Sequence, residues 1–306
     1  MTGPWTVRCH VADDGDTQAA AIAGVASMLL FDFGALAIGE TGAETAESES
    51  DGADGAEMVA GIELIAGFAS EDEALNAASG VRTQLASVRC NVRKDPSHQA
   101  WVDQQREGLE ATTIGEWHIR SPWHSPSSPT HDIVIDPGVA FGHGAHPSTR
   151  LSLELLLAAL DTDLDRRYET VVDLGCGTGI ISILAAKAGR NVRATEHDAD
   201  AVEVARRNIA GNDVATSIDV THGDATDERI DPPNLVVANV TIDVHREICG
   251  NYSTAERIII SGVLCNQVAE MTRLLPQHYA KITKTSGDWA AVDFQRSTLR
   301  EPHKSR

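Results

Sequence analysis

Asp173-Leu174-Gly175-Cys176-Gly177-Thr178-Gly179 sets a carboxylate and three glycines in one short run. Thr170-Val171-Val172 precedes it and Ile180-Ile181-Ser182-Ile183-Leu184 follows. The stretch therefore reads as a buried strand, a glycine turn and a helix opening straight out of the turn. Bare glycine backbone lets a ligand approach without Cβ clashes, and the acidic strand end can face a nucleotide-like group. Two cofactor classes use such a loop, the dinucleotides and S-adenosylmethionine (SAM). A dinucleotide loop wants G-x-G-x-x-G/A, and Ile180 occupies the third position here. Glu196 follows about twenty residues on, where a carboxylate can accept hydrogen bonds from both ribose hydroxyls. Asn239 ends Leu235-Val236-Val237-Ala238-Asn239. Alone it would more often cap a helix. At the carboxyl end of a buried strand it faces the crevice where open sheets bind ligands. Asp224, in His222-Gly223-Asp224-Ala225, is either a turn residue or a further ligand group. His143 and His146 have H-x-x-H spacing, but in a glycine-rich loop without an evident third ligand, so no metal is expected. Cys176 sits inside the glycine loop and reads as a structural thiol.

Those residues need a sheet to hold them. From Glu169 on, strands are expected at 170–174, 191–196, 217–221, 235–240, 257–263, 281–285 and 291–295, with helices at 179–188, 200–210, 242–248 and 267–275. The alternation means a mostly parallel sheet covered on both faces by helices, an α/β doubly wound architecture. The last two strands lack an intervening helix and should form an antiparallel hairpin at an edge. Ahead of this, strands at 5–11, 34–40, 58–68 and 87–92 and helices at 16–30 and 70–85 follow the order β-α-β-β-α-β of a small ferredoxin-like α+β domain. Ser70 and Glu73 are spaced as a capping box. The acidic Gly/Ala/Ser-rich segment 41–57 reads as a loop or disordered insertion. Residues 94–130, with a short helix at 101–109, a short strand at 116–119 and a proline-punctuated loop at 121–129, read as a linker. The expected domains are thus 1–93, a linker at 94–130, and 131–306.

Composition limits the partners. With 45 Asp and Glu against 25 Lys and Arg, the formal charge is −20. A nucleic-acid backbone is therefore not an expected partner, since binders cluster Lys and Arg. Residues 1–93 contain no lysine and are strongly acidic, which suits either a solvated surface or docking of a basic protein. No run of about 18 apolar residues exists, so no membrane span is expected. The N-terminus lacks the basic start and apolar core of a signal peptide. The 5 cysteines are odd in number and far apart, with no CxxC pair. They predict neither a disulfide framework nor a zinc knuckle, and a reducing cytoplasm is the simpler compartment.

D-x-G-x-G-x-G is the signature of class I SAM-dependent methyltransferases, so the loop resembles that superfamily, with its Rossmann-like sheet. A second stretch, Asp136-Pro137-Gly138-Val139-Ala140-Phe141-Gly142-His143-Gly144-Ala145-His146-Pro147-Ser148-Thr149, is similar to the D-P-G-x-A-F-G-x-G-x-H-x-[ST]-T motif of the ribosomal protein methyltransferase (PrmA) family. The resemblance extends over the small domain, the tryptophan-bearing bridge, Ala238-Asn239-Val240 and the Trp289-containing hairpin. It implies SAM as cofactor, with Thr149, Gly175, Glu196 and Asn239 carried over as contacts, Asp173 and Gly177 in the same loop, and Asp224 near the adenine amine. It also implies methylation of lysine or N-terminal amines of protein eleven of the large ribosomal subunit, with Asn239 as the catalytic group. His143 where Thr is frequent, Glu196 where Asp is common and Val240 where Ile or Leu is usual depart from the pattern. Two other readings remain: methylation of another protein lysine or a small amine, and a non-catalytic SAM-binding module.

Overall fold

The computed structural model describes residues 5–12, 18–33, 35, 37–42, 61–68, 70–94, 111–126, 131–138, 142, 144–163, 167–228, 230 and 234–297. The chain divides into two compact units, Met1–Glu110 with Pro137–Phe141, and Ala111–Asp136 with Gly142–Arg306.

In the first unit, β1 (Trp5–Ala12), α1 (Gln18–Asp32), β2 (Ala37–Gly42), β3 (Gly61–Phe68), α2 (Glu71–Gln84) and β4 (Val88–Lys94) follow one another. The strands lie in the order β2-β3-β1-β4, every neighbour antiparallel. This is the split β-α-β arrangement expected from the sequence. Ala74, Ala77, Ala78 and Val81 recur at helical spacing on α2 and bury against Val7, Cys9 and Val11 of β1 and Leu64, Ala66 and Phe68 of β3. Ser70 and Glu73 form the expected capping box, each side chain accepting from the other residue's backbone N–H. Thr41 and Gly42, read as the start of the acidic insertion, instead close β2 against Thr41↔Glu63 and Gly42↔Ile62. Residues 43–57 and the helix expected at 101–109 lie outside the described residues.

The second unit is built on a seven-stranded sheet of order β10-β9-β8-β11-β12-β14-β13. Its strands are β8 (Thr170–Leu174), β9 (Asn191–Glu196), β10 (Ile218–His222), β11 (Leu235–Asn239), β12 (Arg257–Leu264), β13 (His278–Ser286) and β14 (Trp289–Arg296). Strands β8 to β12 are parallel, while β14 runs antiparallel between β12 and β13, so the final hairpin occupies one edge. Gly262, with φ of 78°, sits where the β12–β14 register shifts, a backbone conformation that other residues adopt only at a cost. The helices are α3 (Pro147–Asp161), α4 (Ile180–Lys187), α5 (Ala199–Gly211), α6 (Ile242–Tyr252) and α7 (Val268–Leu274). Alternation along the strands divides them between the two faces. Val172, Leu174, Val236, Ala238, Ile258 and Ile260 pack with Ile248 and Tyr252 of α6 and Met271 of α7. Asp173, Asn239 and Ser261 point the other way, to hydrogen-bond partners on α3 and α4.

The stretch read as a linker contributes more order than expected. β5 (Thr112–Ile114) and β6 (Trp117–Arg120) form a hairpin, and β7 (Asp132–Val134) joins β6 in parallel. Asp132 accepts from Arg120 Nε at 2.7 Å and pairs with His118 Nδ1 at 2.9 Å, fixing this three-stranded sheet.

Candidate active site

The parallel strands end together. Leu174 aligns with Thr195 and with Ala238, Glu196 with His222, and Asn239 with Ser261. Asp173, Gly175, Gly177, Glu196, Asp224 and Asn239 therefore lie in or beside one sheet edge, the carboxyl edge where open α/β sheets take ligands, and Thr149 is joined to it through Asn239, whereas His143 lies outside the described residues.

The glycine turn between β8 and α4 works because Gly175, Gly177 and Gly179 have φ of 72°, 52° and 79°. A Cβ on Gly175 would stand 2.7 Å from Val240 Cγ1. At Gly175 a side chain is thus excluded by both torsion and space. Asp173, just before the turn, is fully buried. Its Oδ2 accepts from Ser182 Oγ at 2.6 Å, whereas Oδ1 meets no donor. Burial, aided by the charge of Glu196 and opposed by Ser182, pushes this carboxyl up to about 7.

Glu196, at the end of β9, turns back onto the loop. Its Oε2 accepts from Gly177 N at 2.9 Å, and its Oε1 from His197 N at 2.9 Å and Asp198 N at 3.1 Å. Burial disfavours its charge, but His197 and the backbone donors outweigh that and hold it below the usual range. It is a fixed carboxylate, and Oε2, with one hydrogen bond, retains lone-pair capacity for a hydroxyl. The next loop is tied to the same strand end by Gly223 N donating to Glu196 O at 2.9 Å. Asp224 in that loop is exposed and accepts from Thr226 N at 2.7 Å, capping a short 3-10 turn. The turn role and an outward-facing carboxylate coexist there.

Asn239 meets Thr149 of α3 on the face that this helix covers: its Nδ2 donates to Thr149 Oγ1 at 3.3 Å. Its Oδ1, also buried, has no hydrogen-bond partner. Thr149 lies in the first turn of α3, whose start is fixed by His146 as N-cap and Pro147 behind it. His146 also packs edge-on against Trp289, with ring centroids 4.8 Å apart. His143, its companion in the H-x-x-H reading, lies outside the described residues. Cys176 is buried, and burial pushes its thiol well up, the behaviour of a structural cysteine.

Several residues complete the site without having been singled out beforehand. Asn208 exchanges hydrogen bonds with both backbone groups of Asp136 at 3.0 Å and donates to Thr178 O at 2.9 Å. Asn212 does the same for Val134 at 2.9 and 2.6 Å. Thr178 Oγ1 donates to Gly142 O at 2.5 Å. Asp136 and Gly142 of the second motif, and Val134 just before it, are in this way tied to the glycine turn and α5. Two asparagines four apart, one in the last turn of α5 and one at its C-cap, were the available signal. Behind Asn239, Ser261 Oγ donates to Ser148 O at 2.7 Å, and buried His245 bridges Tyr252 Oη and Ser261 O, both at 2.9 Å. Burial drives His245 down to about 4, so it is a neutral structural imidazole rather than a base.

An uncovered glycine turn, a fixed carboxylate at the next strand end and an orphaned buried amide oxygen fit a nucleoside carrying a methionine chain. The comparisons with known proteins agree. The family described as "Ribosomal protein L11 methyltransferase (PrmA)" matches residues 17–297. The chain belongs to the PrmA family. It is accordingly a SAM-dependent methyltransferase. A PrmA relative from Burkholderia thailandensis is 33% identical over 219 residues, covering 69% of this chain and 70% of that one. Another, from Myxococcus xanthus, is 30% identical over 242 residues, covering 76% and 81%. Both are named ribosomal protein L11 methyltransferase. The solved ribosomal protein L11 methylase of Lactobacillus delbrueckii aligns with a TM-score of 0.53 at 22% identity, over 62% of this chain and all of that one, a likeness of fold. Among the described residues no helix is long and apolar enough to cross a membrane.

Proposed function

We propose that this chain transfers methyl groups from SAM to lysine side-chain or N-terminal amines of ribosomal protein L11 in the cytoplasm. The observation that carries the reading is Asn239: a buried amide whose Nδ2 is held by Thr149 and whose Oδ1 lacks a partner, beside an uncovered glycine turn. Names of the PrmA relatives support the acceptor, and the acidic first 93 residues suit a basic protein.

Bound SAM supplies an electrophilic methyl on a sulfonium. Gly175 and Gly177 would leave backbone free of side chains for its methionine part, Glu196 would accept from the ribose hydroxyls, and Asp224 would receive the adenine amine. Asp173 holds the start of α4 through Ser182. Thr149 fixes the amide plane of Asn239, and Asn239 Oδ1 accepts a hydrogen bond from the incoming amine and so aims its lone pair. Orientation of this kind contributes roughly 7–11 kcal/mol in favourable cases. The lysine sheds its proton to solvent before transfer, helped by desolvation.

Incubating the protein with labelled SAM and a lysate from cells lacking it identifies the acceptor. Label on ribosomal protein L11 is the expected result. Label on another protein or on a small amine refutes the acceptor, and no label refutes the catalytic reading.

A further inference from the structure

Cys9 and Cys90 stand directly opposite each other on antiparallel β1 and β4, flanked by the pairs Val7↔Val92 and Val11↔Val88. Facing residues in such a ladder have Cα atoms about 4.5–5.5 Å apart, inside the roughly 4.4–6.8 Å that a disulfide spans. Their sulfurs are 2.8 Å apart in a thiol–thiol hydrogen bond, although 81 positions separate them in sequence. Cys9 is fully buried with Val7 and Val11 in the core of the first unit, while Cys90 is half-buried on β4, the edge strand. The site described above uses neither.

We propose that Cys9 and Cys90 form a dithiol site that small disulfides close into an intramolecular disulfide and small thiols reopen. Geometry divides the roles. Cys90 is the sulfur a reagent can reach, and Cys9 lies behind it with one neighbour to attack. Electrostatics point the same way. The hydrogen bond from Cys9, joined by the Arg82 guanidinium in the last turn of α2, outweighs burial and holds the Cys90 thiol below its ordinary value. The hydrogen bond to Cys90 and burial push Cys9 up. In the first step the Cys90 thiolate attacks a disulfide RSSR, forming Cys90–S–SR and releasing RS⁻. In the second, Cys9 sulfur displaces the remaining RS⁻ from Cys90, and its proton leaves on a released thiolate. Two protein thiols are oxidised by two electrons, and one RSSR is reduced to two RSH. The new bond pins the edge strand β4 to β1.

Oxidised glutathione is the probe. The folded full chain is incubated with an excess, free thiols are alkylated, and peptides are identified by mass spectrometry. The expected result is a Cys9–Cys90 cross-linked peptide, with Cys9 and Cys90 lost together from the thiols that can be alkylated after unfolding, and both restored on reduction with dithiothreitol. Cys9→Ala should accumulate a glutathione adduct on Cys90, and Cys90→Ser should give neither adduct nor cross-link. Wild-type protein that keeps all its thiols overturns the proposal. So does a Cys90 adduct that Cys9 never resolves, or cross-links that favour Cys249 or Cys265. These readouts come from wild-type protein, so a variant that misfolds does not shelter the idea.

Discussion

Asp173 and Asp293 are both fully buried in the same seven-stranded sheet, and they are treated in opposite ways. Asp293, facing the amino end of β12, is matched on both oxygens by Arg257, with Nε at 2.9 Å and Nη2 at 2.7 Å. Arg257 spends Nη1 on Ala159 O, at the carboxyl end of α3. Asp173, at the carboxyl end of β8, has one neutral donor, an oxygen without a partner and a proton affinity raised to about 7. Unpaired Asn239 Oδ1 lies at that same end. A buried acid that serves only the fold is fully matched. Incomplete matching at the other edge costs stability and, in the proposed function, leaves the Asn239 oxygen for the acceptor.

The largest effect should come from breaking the matched side. Asp293→Ala strands the Arg257 guanidinium in the interior and should lower unfolding free energy by about 3–5 kcal/mol, measured by urea denaturation. A loss below about 1 kcal/mol would mean that the pair is not the structural anchor described.

The unmatched side should show itself in pH dependence. Folded Asp173 keeps its proton up to about 7, whereas the unfolded chain releases it near the ordinary 3.8. Between those values the folded state binds more protons. The Asp173 contribution is therefore complete below 3.8 and is lost as pH rises through 7, by at most about 4 kcal/mol. Asp173→Asn should remove this downward slope. Parallel stability profiles for the two proteins from pH 4 to 8 would contradict the raised affinity.

Gly177→Val forces a β-branched residue to a positive φ at the backbone group that holds Glu196. SAM affinity should fall about a hundredfold, or about 2.7 kcal/mol, by calorimetry, with the circular dichroism spectrum retained. Unchanged affinity would remove the loop from the site. Ser182→Ala is the gentlest change. It takes the hydroxyl donor from Asp173, should cost about 1 kcal/mol, and should move the Asp173 transition to higher pH. A transition left in place would show that Ser182 does not tune that carboxyl.

Legibility in the sequence followed the same division. Asp173 to Gly179 was readable because glycine spacing dictates a turn by local sterics, and Ser70 with Glu73 because a capping box closes within one helical turn. The mostly parallel sheet and its antiparallel edge hairpin followed from the alternation of strands and helices. The three-stranded sheet was less legible. Thr112–Ile114 and Asp132–Val134 are three residues each, and β7 is held by pairing to β6 rather than by any pattern of its own. Side-chain matching across the fold was invisible for a related reason. Arg257 and Asp293 are 36 positions apart, and Asn208 reaches 72 positions back to Asp136, distances that only the folded sheet closes. Asn239 could be placed at a strand end, but its partner Thr149, 90 positions away, emerged only through family resemblance.

In the proposed function the orphaned oxygen of Asn239 aims the acceptor amine, a role beyond any contact of Asn239 with the cofactor. Asn239→Ala separates the two when methyl-transfer rate and SAM affinity are measured on the same preparation. The expected result is a rate about a hundredfold lower with SAM affinity changed by less than about threefold. Equal losses in both would make Asn239 a cofactor contact only, and an unchanged rate would leave the unpaired oxygen without a role in transfer.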